Sequence, residues 1–416
     1  MVIAVGGRWG RERIVGATLL VVGLLAAWRF GAWAAAVPVR FTLGEDGSGP
    51  ALSVPGDVGA VVFGALAAVA GAALLAGRWR RWFALLAGAG AFAVVVSLLC
   101  WQISNAPQGQ SFMPLANTAR GTFLLALPLV FGALAGVLCE RSGVVNVAIE
   151  GQLLMGAFGG ALFGTLTGSP WLGLAAGAGC GALVSALLAV FAIRYLVDQV
   201  VLGIVLNLLA IGLTGFLYES LMQRNQAAYN EPPKFAEWTL GPLAELPVVG
   251  PSLFSGTIFL YLAIALVVIL QLALFRTRWG LRTRAVGEHP TAADTLGVRV
   301  RWLRYRNVLL AGLVAGAGGA SYTLVSYSFT KNMIGGKGFI ALAALIFGRW
   351  SPTGALLAAL FFGFADQLQT YLGAIDSGIP SEFLQMLPYL ATILAVAGLA
   401  GKVRAPAADG KPYVTA

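Results

Sequence analysis

Long apolar runs separated by short polar connections fill almost the whole chain. A helix crossing a bilayer needs about 20 mostly apolar residues, because each adds about 1.5 Å across a core of roughly 30 Å. Twelve runs come near this requirement: Ile14 to Ala36, Val58 to Ala76, Trp82 to Cys100, Gly121 to Cys139, Val144 to Thr167, Leu172 to Ile193, Gln199 to Tyr218, Thr257 to Phe275, Val308 to Tyr327, Phe339 to Phe347, Thr353 to Leu372 and Phe383 to Ala400. The pattern predicts an all-α, polytopic helical membrane protein with about twelve transmembrane segments. The run Phe339 to Phe347 is too short to span at helical rise, so it is expected either to extend and tilt or to re-enter.

Charge orients these runs. With the N-terminus inside and the segments alternating, 20 of the 27 Lys and Arg fall on the cytoplasmic side and 6 on the other, with Arg29 inside the first run. The positive-inside bias therefore predicts both termini in the cytoplasm. The net charge of +10 is read as topology, not as a footprint for nucleic acid, since the basic residues gather in connections between apolar runs. The first run also has features of a signal peptide, with Arg8, Arg11 and Arg13 ahead of it; Trp28 and Trp33 favour its retention as an anchor.

Composition agrees. Hydrophobic residues make up 58% and charged residues 11%, too few polar groups to cover a water-soluble fold. Three isolated cysteines and a single histidine, His289, give no material for a metal cluster or a disulfide framework, so no metal and no catalytic residue is expected. Gly156, Gly160, Gly164 and Gly168 recur every four residues in the fifth run, and Gly173, Gly177 and Gly181 do the same in the sixth. Such stripes let helices approach closely enough for dispersion contacts to hold them in lipid.

The longest cytoplasmic connection, Arg276 to Arg306, carries eight arginines opposed only by Glu288 and Asp294. Pro290 suits a first helical turn, Asp294 the positive end of the helix dipole, and Gly297 a stop, while Ala293, Leu296 and Val300 share a face. A short amphipathic helix lying on the membrane surface follows. By composition alone it could equally anchor the loop in headgroups or dock on another protein.

Sequence order separates the two. The segment RAVGEHPTAADTLGV, followed by LLAGLVAGAGGA, resembles the docking loop and next helix of ABC importer permeases for simple sugars and nucleosides. ERSGVVNVAIEGQLLMGAF, from Glu140 to Phe158, is similar to the signature of one of the paired permeases in nucleoside-type systems. GIVLNLLAIGLTGFL and GGKGFIALAALIFGRWSPTGALLAALFFGFADQLQ extend the likeness over roughly residues 112 to 404. The resemblance implies three parts: an N-terminal extension over 1–110 with three segments, a permease core over 111–404, and a cytoplasmic tail over 405–416. It further implies an ABC ATPase, a second homologous permease in a heterodimer, an extracytoplasmic solute-binding protein, and residence among the lipids of the bacterial inner membrane. Glu288, Pro290, Ala292, Ala293, Asp294 and Gly297 would form the ATPase-coupling loop. The chain lacks a GxxxxGK[ST] phosphate loop, so ATP would bind a partner and no cofactor this chain.

Polar residues inside apolar runs mark candidates for the substrate path: Asn146, Glu150, Gln152, Asn207, Asp366 and Gln369. A carboxylate at Glu150 costs a few kcal/mol, about 2.5 to 3.5, unless paired or wetted. Capping of backbone where Gly143 to Asn146 breaks the helix is favoured there over solute contact, and interhelical hydrogen bonding is favoured for Asn207. An ion-coupled secondary transporter is the main rival, but its two six-span halves would put the large loop in the middle, and here it follows the eighth run. A membrane enzyme would need clustered acids, bases or metal ligands that the chain does not offer.

Overall fold

The computed structural model describes residues 10–44, 47, 49–77, 80–107, 111–375, 380–386 and 404–414. Its helices are α1 (Arg11–Trp33), α2 (Gly56–Leu75), α3 (Phe83–Ser104), α4 (Leu115–Glu140), α5 (Ile149–Thr167), α6 (Pro170–Ala189), α7 (Gln199–Leu217), α8 (Gln226–Tyr229), α9 (Ile258–Arg276), α10 (Arg278–Glu288), α11 (Pro290–Thr295), α12 (Val300–Ser321), α13 (Lys337–Phe347), α14 (Pro352–Ala374) and α15 (Ser381–Gln385). Among the described residues, nine helices are long and apolar enough to cross a membrane, so the fold is polytopic and helical.

The expected twelve and these nine part at three places. The fifth run becomes α5, whose 19 residues are diluted by glycine, Glu150 and Gln152. The short run becomes α13, and its 11 residues reach only about 16 Å at helical rise. The last run lies outside the described residues beyond Met386. The connections also hold short strands that apolar patterning does not show: β1 (Pro38–Thr42), β2 (Ala51–Pro55), β3 (Phe112–Pro114), β4 (Trp238–Thr239) and β5 (Ser255–Gly256). Polar backbone between spans pairs with itself wherever extended segments meet.

The chain divides into two compact units. One comprises the described residues of Met1–Arg120, Pro247–Val249 and Ala365–Gly401, the other those of Gly121–Leu246, Gly250–Phe364 and Lys402–Ala416. In the first, α1 and α2 touch backbone to backbone: a methyl on Gly23 would lie 2.4 Å from the Ala68 nitrogen, and one on Gly64 2.5 Å from the Ala27 nitrogen. Strands β2 and β3 flank β1, antiparallel and parallel respectively. Val39, Ile103 and Met113 share a buried cluster with Leu368 and Leu372 of α14.

In the second unit α5, α6 and α12 form the tightest part of the core. A methyl on Gly156 would come within 2.2 Å of the Gly316 carbonyl oxygen, and one on Gly181 within 2.4 Å of that of Gly312. The two glycine stripes thus face each other as well as α12: a methyl on Gly177 would lie 2.7 Å from the Gly156 carbonyl oxygen and one on Gly173 2.9 Å from that of Gly160, while glycines of α12 complete the contact. Gly168 is an exception to the expected stripe: it adopts φ +63° and closes α5, a conformation that favours glycine at a helix end.

Candidate functional site

The candidate residues of the second unit gather where the chain breaks between α4 and α5. Gly143, at φ +84°, turns it out of α4, and helix resumes only at Ile149. The exposed backbone of this break needs partners, because the bilayer interior supplies no water to satisfy it.

Side chains provide them. Asn207 of α7 accepts from the Gly151 nitrogen at 2.8 Å and donates to the Val147 carbonyl at 2.9 Å. Gln199, at the start of α7, accepts from the Val145 nitrogen at 2.7 Å. Asn146 and Gln152 exchange two hydrogen bonds of 3.1 Å, and Gln152 also donates to Ser185 Oγ of α6 at 2.8 Å. All of these side chains are buried.

Glu150 reaches farther. Its Oε1 accepts from the Gly336 nitrogen at 2.8 Å and its Oε2 from the Gly338 nitrogen at 2.6 Å. The carboxylate therefore caps α13 while lying in the first turn of α5, so two positive helix ends face one negative charge. Its backbone partners are in residues 336–338, not in Gly143 to Asn146. Asn146 and Gln152 are thus engaged by each other, and Glu150 and Asn207 by backbone, all around the start of α5. Asp366 and Gln369 belong to the other unit, half-buried on α14.

The arginine-rich connection contains two helices where one was expected. Thr277 caps α10 through the Gly280 nitrogen, and α11 starts at Pro290. Gly297, at φ +80°, ends it: its nitrogen donates to the Asp294 carbonyl at 2.8 Å and the next to that of Ala293 at 3.1 Å, the pairing of a glycine-closed helix end. Asp294 is the fifth residue of a helix of 6, so it stands near the negative end and not at the positive one. Its carboxylate instead accepts from the Tyr413 hydroxyl.

Leu296 also departs from expectation. Ala293 and Val300 are buried, but Leu296 is 84% exposed, because the stop at Gly297 turns it off their shared face. Ala292 lies on the exposed side of α11, and Glu288 accepts from the Ala407 nitrogen at 3.2 Å. Sequence reasoning overlooked Arg304, Asp409 and Tyr413 because they lie in the polar connection and the tail, outside the apolar runs. The signal that could have found them is Glu140, an acid directly after the apolar run that ends at Cys139, whose burial calls for a partner.

Residues 118–396 match a family described as the permease component of branched-chain amino acid transport systems. The guanosine ABC transporter permease protein NupQ of Bacillus subtilis is 44% identical over 303 residues, 70% of this chain and 95% of the relative. The nucleoside ABC transporter permease protein NupC of Lactococcus lactis is 42% identical over 301 residues, 70% of this chain and 94% of the relative. A putative glucose ABC transporter permease protein of Haloferax volcanii is 37% identical over 256 residues, 61% of this chain and 77% of the relative. No solved structure matches the chain.

Proposed function

The chain belongs to the family of branched-chain amino acid transport system permease components, and on that premise we propose that it forms the path for a nucleoside in an ATP-driven importer. It is a multi-pass inner-membrane protein and a transport subunit of an ABC system. The observation that carries the nucleoside reading is the identity of 44% and 42% to guanosine and nucleoside permeases along nearly their full lengths.

In this reading both termini face the cytoplasm and ATP is bound and hydrolysed on a partner ATPase. A second permease completes the pore, and an extracytoplasmic binding protein delivers the solute. Residues 111–404 are the transporting core, 1–110 an added three-helix extension and 405–416 the tail. Helices α10 and α11 meet the ATPase, with Leu296 as the apolar knob, since an 84% exposed leucine closing a helix is suited to a pocket on another chain. ATP-driven closure of the ATPases would push this loop and shift the pore between outward and inward access. Asn146, Glu150, Gln152 and Asn207 shape the path by fixing the broken backbone before α5, and Asp366 and Gln369 offer polar contacts on α14.

Vesicles carrying the complete transporter test this. ATP-dependent uptake of tritiated guanosine is expected, with excess glucose without effect. Leu296→Asp, or Asp294→Ala combined with Gly297→Val, should lower uptake at least tenfold while insertion is unchanged. Uptake of glucose in place of guanosine refutes the solute, and full uptake in the loop variants refutes the docking role.

A further inference from the structure

The last described segment, residues 404–414, lies against the arginine-rich connection and the ends of α4 and α12. The Ala408 nitrogen donates to the Gly287 carbonyl at 2.8 Å, and the Ala407 nitrogen to Glu288. Tyr413 completes an apolar cluster with Val286, Ala293, Val300 and Leu303, and its hydroxyl binds Asp294. Tail, α10, α11 and α12 are therefore held as one piece.

Charge is buried under this tail. Arg304 is only 2% exposed; its Nε donates to the Ser142 carbonyl and its Nη1 to the Lys411 carbonyl, both at 3.1 Å. Asp409 shares a hydrogen bond with Glu140, which also accepts from Trp350 Nε1. A bond between two carboxyls needs a proton between them. One carboxylate balances the Arg304 guanidinium, and the other keeps its proton because a second charge there would have no counterpart.

We propose that residues 404–414 are a latch that positions α10 and α11 for coupling, with Asp409 as the positioning residue that seats it beside Glu140 and Arg304. Seated, the latch makes the loop a stiff lever on α4 and α12. Unseated, α10 and α11 lose their backing, and ATP is hydrolysed without moving solute. The inference rests on the reading of this loop as the ATPase contact.

The pairing makes the latch sensitive to pH. Facing Asp409 are Glu140 and Cys139 from α4 and Arg304 from α12; Glu288 of α10 grips the tail two residues before it, and Lys411 and Tyr413 follow on the tail itself. Burial, then the Glu140 carboxyl, push Asp409 up to about 8, with Arg304 pulling the other way. A released tail gives up this proton in the ordinary carboxylate range. Seating is thus strongest at acid pH, weakens as pH rises from that range to about 8, and levels off beyond it.

A nitroxide label on Val414→Cys, a position 62% exposed, reports seating in the complete transporter; Cys180, half-buried where the other two cysteines are buried, is replaced by serine. The ratio of mobile to immobile label should rise up to about tenfold per pH unit below about 8. Asp409→Asn, which keeps a donor to Glu140 without the charge, should stay seated and flatten the profile. Asp409→Ala should free the label at every pH and cut guanosine taken up per ATP hydrolysed at least fivefold, with hydrolysis retained. An immobile label in Asp409→Ala overturns the latch. A freed label with unchanged uptake per ATP overturns its role in coupling. If Leu296→Asp also leaves uptake per ATP unchanged, the docking reading fails, and the label alone still decides whether the latch exists.

Discussion

Replacing Glu150 distinguishes a backbone cap from a solute contact. Its two oxygens accept from the Gly336 and Gly338 nitrogens at 2.8 and 2.6 Å in a buried setting. Hydrogen bonds to a charged group contribute about 1.5 to 3 kcal/mol each, so Glu150→Ala should weaken the start of α13 by about 3 to 6 kcal/mol. Glu150→Gln retains one accepting oxygen and turns an amide N–H toward the other donor. Its cost should be close to that of Glu150→Ala if the repulsion of two donors is not relieved, and about half if the side chain shifts to serve both nitrogens. The assay is hydrogen exchange at residues 336–340 in the purified chain, where local opening should speed exchange by about 10² to 10⁴ in Glu150→Ala. Guanosine uptake measured on the same variants separates the two roles. Unchanged exchange with lost uptake would falsify the capping argument and assign the carboxylate to the solute.

Three further outcomes follow from packing and hydrogen bonding. Gly316→Val should damage the core, because even a methyl there meets the Gly177 carbonyl oxygen at 2.4 Å; overpacking of about 1 to 3 kcal/mol or more should show as reduced accumulation in membranes. Asn207→Leu leaves the Gly151 nitrogen and the Val147 carbonyl without their partner, at about 1 to 3 kcal/mol each, and a lower midpoint in detergent-induced unfolding is the measurement; an unshifted midpoint contradicts the role given to this side chain. Tyr413→Phe keeps the ring among Val286 and Val300 but removes the bond to the Asp294 carboxylate, so tail seating should fall by about 1.5 to 3 kcal/mol, read as a rise in the mobile label at Val414.

Apolar length and charge were enough to read a polytopic helical protein from the chain, since the need for an apolar lipid-facing surface acts on each segment separately. Glycine spacing announced close packing in the same way, and the order of motifs announced the family. The stop at Gly297 was legible too, because helix ends obey local rules. Other features are non-local. Glu150 caps a helix whose amides lie 186 and 188 residues farther on. Asp294 looks locally like a residue for a helix start, yet the helix is so short that it stands near the end and binds the tail. Leu296 fits an apolar face on paper and loses it to the left-handed turn beside it.

Sequence by itself therefore determined that the chain is a polytopic helical membrane protein, because transfer from water to lipid is decided residue by residue along each apolar run. Tertiary structure alone decided where each buried polar group finds its partner: the carboxylate of Glu150 on α13, the amide of Asn207 on the break before α5, and Arg304 under the tail with Asp409. Such groups must be satisfied once water is gone, and which donor comes within 3 Å depends on how distant helices pack, a quantity that no local pattern records.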